Sequence, residues 1–411
     1  MNRYFAGAAS ALAILGWLAA PVAAGTIVVN TDTSDPAPKQ AFQELIDGFK
    51  EAHPDVQVTW NVFDHEGYKT SIRNFLTADA PDIAAWYAGN RMVPYVDAGL
   101  FEDVSDVWAD NGLDESMKST AESMTLDGKK WGVPYTYYQW GVYYRKDIFA
   151  DLGIEPPTTW DAFLAACAKI KESGVTPIAI GTKALWPTAG WFDYLNLREN
   201  GYEFHMELTG GNVPYTDDRV KAVFDRWRAL LEPGYFVENH AALDWQDALP
   251  LLVQGQAAMY LIGNFAVAPL REAGLTDDQL GFMQFPVINP DVPMAEDAPT
   301  DTLHIPANAS NKEDAKKFLA YLAQPDVQSK INATLGQLPV NNESEVPEDP
   351  FLKQGFEMLS GASALAQFYD RDAVAEMAKA GMEGFQEFMV KPDRGEQILK
   401  RLEKIRSRVY K

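Results

Sequence analysis

TIVVNTDTSDPAPKQAFQELIDGFKEAHPDVQVTW, residues 26–60, changes its hydrophobic period twice. Thr26 to Asn30 is a short β-branched run, the signature of a strand. After Pro36 and Pro38, the apolar residues Phe42, Leu45, Ile46 and Phe49 recur at i, i+3, i+4 and i+7, which is one face of a helix. His53-Pro54-Asp55 ends that helix, because the residue before a proline is pushed out of the helical region. Val56, Val58 and Trp60 then alternate as in a half-buried strand. Outward from here, Tyr68, Ile72, Phe75 and Leu76 form a second helical stripe before Pro81, and Asp82 to Trp86 reads as a third strand. Strand, helix, strand, helix, strand with short connections predicts an α/β fold with a mostly parallel sheet. Ligands of such sheets gather at the carboxyl ends of the strands, which puts the Thr31–Asp35 loop and Trp86–Arg91 at the edge of a site.

A second α/β unit follows. Trp131 to Tyr135 and Trp140 to Tyr144 read as extended, and Pro156 to Asp161 opens a helix carrying Phe163, Leu164, Cys167 and Ile170. Thr158 with Asp161 matches a capping box, as does Ser310 with Glu313 ahead of Ala315, Phe318, Leu319 and Leu322. Val175–Ile180 and Ala257–Ile262 read as strands and Val220–Leu231 as a helix. From about Phe351 the pattern is helical, ending in a mixed-charge helix over Gly395–Tyr410. There is no internal repeat and no low-complexity linker, so the lobes interweave or abut rather than hang on a tether.

At 411 residues the chain has length for two or three domains, and 47% apolar with 23% charged residues is ordinary globular composition. The 58 acidic against 35 basic side chains, net −23, argue against nucleic acid and against anionic membrane surfaces. A single cysteine forms no internal disulfide and no CxxC site. Cys167 sits on an apolar helix face, where burial makes the thiol inert. At the amino terminus, Arg3 precedes an apolar run over Tyr4–Ala20, and Val22 and Ala24 stand at −3 and −1 of a cut before Gly25. Residues 1–24 therefore read as a secretory signal peptide. No cysteine follows the cut, so no lipid anchor is expected. No later stretch reaches 18 apolar residues, so a soluble, exported protein is expected.

Motifs of catalysis are scarce. The five histidines, His53, His65, His205, His240 and His304, show no metal-ligand spacing, and GxGxxG, GxxxxGK[ST] and GxSxG are absent. No cofactor or metal is expected. Aromatic residues stand out instead. Trp86-Tyr87, Tyr135, Tyr137-Tyr138, Trp140, Trp186, Trp191 and Phe265 fall at predicted strand ends or loops, beside Gly, Asn, Gln, Thr and Pro. Trp60, Trp108, Trp160 and Trp227 fit packing roles. A flat ring packs on the C–H face of a pyranose while polar groups take its hydroxyls, which is the chemistry of a carbohydrate cleft.

The sequence resembles the family 1 extracellular solute-binding proteins, sugar-binding components of bacterial ABC importers, over essentially the whole mature chain. The resemblance rests on Ala80-Pro81-Asp82-Ile83 leading into Trp86, on Gly132-Val133-Pro134-Tyr135 followed by Tyr144 to Phe149, and on Pro157-Thr158-Thr159-Trp160-Asp161. Gly255 to Met259 with Gly263-Asn264-Phe265, Asn311 to Ala315, and Gly336-Gln337-Leu338-Pro339-Val340 complete the series. It implies a two-lobed, hinged periplasmic-binding-protein fold with the ligand cleft between lobes. Crossovers would fall near Tyr135–Gln139, Gly281–Phe285 and Ala333–Gln337. One lobe is then residues 25–135 with 286–334, the other 136–280 with 335–411.

The resemblance also implies a monomer that hands a small carbohydrate to the membrane permease subunits, with no enzymatic step. It maps sugar contacts onto Trp86 and onto Asn264-Phe265, where relatives carry Gly-Trp. His304 stands where relatives are glycine-rich, and is either a ligand donor or a buried histidine bonded to backbone. Asp82 reads as a structural carboxylate. Asp64, His65 and Arg91 flank first-lobe strand ends, and Asp370 and Arg371 lie in the helical tail. Arg91 and Arg371 either meet an anionic sugar or form ion pairs. Tyr138, Trp140, Trp186 and Trp191 complete the expected ligand set. A secreted carbohydrate-active enzyme is the alternative reading, and the same fold with a polyamine, metal or phosphate cargo is a third.

Overall fold

A computed structural model describes residues 25–410, so the signal-peptide reading of residues 1–24 lies outside the described residues. Strand β1 (Gly25–Thr31), helix α1 (Pro36–Ala52), β2 (Val56–Val62), α2 (His65–Ala78) and β3 (Ile83–Tyr87) follow one another as their periodicities require. β1 pairs in parallel with β2 on one side and β3 on the other. Strand β4 (Val133–Tyr137) belongs to the same sheet.

After Tyr138-Gln139 the chain enters a second sheet with β5 (Trp140–Arg145). Helices α3 (Trp160–Glu172) and α4 (Trp186–Asn200) bracket β6 (Thr176–Ala179), and α5 (Trp245–Val253) precedes β7 (Ala257–Gly263) and β8 (Leu280–Met283). The order is β8-β5-β7-β6. Strand β9 (Ala295–Asp297) leads through Ala298 and Pro299 to β10 (Thr300–His304), which returns to the first sheet between β3 and β4. Helices α6 (Lys312–Leu322) and α7 (Pro325–Leu335) cover that sheet, and β11 (Ala364–Ala366) pairs in parallel with β9.

The expected mostly parallel sheet holds only for β2-β1-β3. β10 comes from the other lobe, enters from the opposite end and is antiparallel to both neighbours. In the second sheet β5 is antiparallel to β8 and β7, and only β6 with β7 is parallel.

Two apolar cores define two lobes. Ile27, Val29, Phe42, Leu45, Ile46, Phe49, Phe318 and Leu319 pack in the first, and Val142, Phe163, Ile178, Trp191, Phe192, Trp227 and Phe385 in the second. Phe285 and Ile288 pack in the second core, and Val287 exchanges hydrogen bonds with the Thr158 carbonyl and the Trp160 amide. The return crossing therefore falls at Ala298–Thr300, not at Gly281–Phe285. Leu335 and Val340 pack in the first core and Phe351 in the second, which moves the third crossing beyond Ala333–Gln337. The first lies at Tyr138-Gln139.

Both expected helix caps shift by one residue. Thr159, not Thr158, accepts the Ala162 amide, and Asn311, not Ser310, accepts the Asp314 amide. The Ser310 hydroxyl instead donates to Asp82, whose carboxylate also accepts the amides of Val28 and Asn311 and so ties β1 to the α6 entry. Cys167 is buried, and burial pushes its thiol well above the usual range. Among the described residues no helix is long and apolar enough to cross a membrane.

Candidate functional site

A cavity of about 180 Å³ lies between the lobes, lined by both. The first lobe reaches it at the carboxyl ends of β1 and β3, where the strand-end rule expects a ligand. Asp32 follows β1 and Tyr87 ends β3. Asp301, on β10, pairs with Tyr87 and so stands at the same edge. The Asp32 carboxylate accepts the Tyr87 hydroxyl at 3.0 Å and meets His65 Nδ1 at 2.9 Å. Burial opposes ionisation of Asp32, but His65, Tyr87 and Lys69 outweigh it and hold the carboxyl below its ordinary value. Burial pushes Asp301 up, and the neighbouring Arg371 guanidinium only partly restrains it.

The second lobe contributes rings. Tyr138 and Trp140 flank the first crossing, Phe265 follows β7, and Trp186 and Trp245 begin α4 and α5. Phe265 meets Tyr138, Trp140, Trp186 and Trp245 at centroid distances of 5.4, 6.2, 6.0 and 5.1 Å, all edge to face. Such edge-on contacts stiffen the wall. Two strained residues set this wall. Leu185, with φ of +66°, precedes Trp186, and Phe368, with φ of +143°, lines the cavity itself and packs on Trp140 at 4.8 Å. Asp372 holds Phe368 there by accepting the amides of Gln367 and Phe368. Strained backbone persists only where surrounding bonds over-determine it, as at ligand sites. Helices α1, α2, α4 and α5 all begin at the cavity, and their partial positive charge balances its carboxylates.

Of the residues expected from sequence, Trp86, Tyr138, Trp140, Trp186, Phe265, His65, Asp370 and Arg371 line this cavity. Five do not. Trp191 is in the second core against Phe163, Phe236 and Phe285, because α4 is buried on all sides from Trp186 to Arg198 rather than being a loop. Asn264 is buried, accepting the Tyr143 hydroxyl and donating to the Gly336 carbonyl. Asp64 caps α2 by accepting the amides of Glu66 and Gly67.

His304 is the backbone-bonded histidine of the two alternatives. Its Nδ1 donates to the Trp131 carbonyl at 2.6 Å, Nε2 accepts the Thr302 hydroxyl, the ring stacks on Phe101 at 4.3 Å, and burial pushes its pKa down to about 4. Arg91 pairs with Asp370 at 3.0 Å, and Arg371 with Asp301 at 3.0 Å, so both arginines are lobe-to-lobe ion pairs.

Sequence reasoning missed Asp301, Trp245 and Phe368, and bracketed Asp32 only within a loop. Asp244-Trp245-Gln246-Asp247 carries the signal for one of them: a capping box presenting a tryptophan at a helix start. Among the described residues no group of three or more His, Cys, Asp or Glu side chains is arranged to hold a metal ion.

Two lobes, each built from separated stretches of chain and facing one aromatic and carboxylate cavity, define a receptor for a small polar solute. The chain belongs to the bacterial extracellular solute-binding proteins, whose family model matches residues 33–329. An ABC transporter extracellular-binding protein of Pyrococcus horikoshii is 26% identical over 333 residues, 79% of this chain and 74% of that protein. The multiple sugar-binding protein of Streptococcus mutans is 23% identical over 77% of this chain and 76% of its own length. The solved structure of the bacterial solute receptor AcbH, described with an exclusive preference for β-D-galactopyranose, superposes with a TM-score of 0.87 at 31% identity, covering 94% of this chain and 100% of that one.

Proposed function

We propose that this protein is the exported sugar-binding component of an ABC importer, holding a small carbohydrate between its lobes and delivering it, by hinge closure, to the permease subunits. The observation that carries this reading is a cavity between the lobes lined by both rings and carboxylates, the pairing a pyranose needs for its C–H face and its hydroxyls. At about 180 Å³ the space suits one sugar ring better than a long oligosaccharide. The preference described for AcbH, the relative at 31% identity, points the same way. A cleaved signal peptide over residues 1–24, a periplasmic location without a lipid anchor, and a monomeric state complete the reading. No chemical step is required of it.

A thermal-shift panel of mono-, di- and oligosaccharides tests this. A ligand at 100 times its dissociation constant adds about 2.7 kcal/mol of stability, and a monosaccharide is expected to give the largest shift. Stabilisation by none of them would sink the sugar reading. One observation favours the enzyme alternative: Asp32 is held low and Asp301 high at one cavity, as an acid and base pair would be. Chromogenic glycosides incubated with the protein are expected to remain intact, and their hydrolysis would establish the enzyme instead.

A further inference from the structure

The cations at the cavity are already matched. Arg371, only 7% exposed, lies 4.4 Å over the Tyr87 ring and 3.0 Å from Asp301, and donates to the Thr300 carbonyl at 2.8 Å and to the Tyr138 hydroxyl at 3.2 Å. Arg91 is paired with Asp370 and Lys69 with Glu66. The carboxylates are in excess. Asp32, Asp35, Glu272 and Asp301 all line the space, and Asp301 Oδ1, though ion-paired, is buried and receives no hydrogen bond. A guanidinium recognises a carboxylate by a planar fork of parallel N–H groups, and here Nη1 donates to Thr300 and Nη2 to Tyr138 while the charge is neutralised by Asp301 at 3.0 Å. An incoming anion would find the guanidinium's charge already paired and would face Asp32 and Asp301 where salt screens poorly.

We propose that Asp301 is a specificity-determining residue that masks Arg371, making the cavity a charge filter which admits neutral monosaccharides and rejects their carboxylated counterparts. The inference rests on the sugar reading. It turns the two arginines from an expected anion site into the reason an acidic sugar is excluded.

The test compares glucose, galactose and mannose with their uronic acids by calorimetry on the wild type and on Asp301→Asn, Asp301→Glu and Asp32→Asn. In the wild type the neutral sugar that binds is expected to do so at least about 100-fold more tightly than its uronic acid, since an unpaired like charge in a desolvated site costs several kcal/mol. Asp301→Asn removes the charge that neutralises the guanidinium and should move that ratio at least about tenfold toward the acid. Asp301→Glu should keep the rejection. Asp32→Asn, which removes a charge that is not paired with the guanidinium, should move the ratio less. Equal binding of neutral and acidic sugars by the wild type overturns the filter without recourse to any variant. An unmoved ratio in folded Asp301→Asn, or an equal shift in Asp32→Asn, overturns the masking. If none of these six ligands binds the wild type, the filter for monosaccharides fails, and the sugar reading fails with it only when the whole saccharide panel is also without effect; if a neutral hexose binds and the ratio stays put, the filter alone fails.

Discussion

Both walls of the cavity carry rings and carboxylates, but the two lobes weight them differently: Trp86 and Tyr87 stand beside the first lobe's carboxylates, and Glu272 and Asp370 beside the second lobe's rings. The first lobe presents strand ends and a returning strand, with Asp32, His65 and Asp301 hydrogen-bonded or ion-paired at fixed positions. The second presents helix starts and a strand exit, with Phe265 edge-on to Trp186 and to Trp245. Directional groups sit at strand ends and at the start of α2, and area-driven contacts sit where bulky residues can be packed from behind. A ligand that touches both walls gains more in the arrangement where they face each other, which is the condition for it to shift lobe positions at all.

The largest expected effect breaks the ring wall. Trp186→Ala should weaken sugar binding by about 2–3 kcal/mol, roughly two orders of magnitude, as loss of a central aromatic anchor does. The melting temperature of the ligand-free protein should fall far less, because Trp186 lies at the start of α4 and is 9% exposed, unlike the fully enclosed Trp227. Calorimetry with the sugar identified by thermal shift checks this. Affinity within a factor of three of wild type would show that the rings are packing alone.

Asp32 of the first lobe and Asp193 and Asp297 of the second respond to pH in opposite senses, Asp301 shifting in the same direction as the second-lobe pair. Asp32 is held below its ordinary value, so its contribution to stability is present above 3.8 and is lost as pH falls through its lower folded value. Asp193 and Asp297, buried beneath the second lobe's wall, are pushed well up by burial and by their neighbouring carboxylates. Neither oxygen of Asp297 has a protein donor, and Arg198 is the cation that faces it, itself bonded to Glu296. Their contribution is therefore full below 3.8 and is lost as pH rises through their folded values. Stability should fall with rising pH by up to about 1.4 kcal/mol per pH unit for each proton released. Asp297→Asn should flatten that fall, and Asp32→Asn should alter only the acidic limb. Melts at stepped pH read both; parallel curves for wild type and Asp297→Asn would sink the assignment.

The first lobe was the more legible in sequence, for a physical reason. Its helices expose one side, so Phe42, Leu45, Ile46 and Phe49 leave a 3.6-residue stripe that can be read without a structure. Helix α4 is enclosed all round, its thirteen residues from Trp186 to Arg198 being buried, and a helix with no solvent face has no stripe. Trp186 and Trp191 consequently read as loop residues, and only one of them reaches the cavity. The exchange of His304 for Asp301 is a matter of register: β10 sets Asp301 opposite Tyr87 at the sheet edge and His304 opposite Ala84, three residues deeper. That register depends on a strand arriving from the other lobe. Local pattern holds no record of it, just as it holds none of the strained backbone that turns Phe368 inward.

The smallest effect concerns the contact between the two walls rather than either one. Arg91, which does not line the cavity, bridges the lobes through Asp370 at 3.0 Å, with the two side chains 18% and 10% exposed, and Asn90 beside it donates to the Asp372 carbonyl. Removing one partner of a pair this enclosed costs stability by stranding Asp370, but Arg91 lies outside the cavity, so Arg91→Ala should weaken sugar binding only about two- to fivefold, roughly 1 kcal/mol or less. Asp370→Asn removes the same pair but also changes a cavity-lining group, so its single effect is ambiguous and the double variant is needed. If the pair acts by holding the lobes together, the double variant should bind little worse than the weaker single one, because partners in one contact couple. Multiplying of the two losses in a calorimetric cycle would mean that Asp370 touches the ligand on its own account. The ion pair would then belong to the ring wall's polar edge, and the lobes would be held by the hinge strands alone.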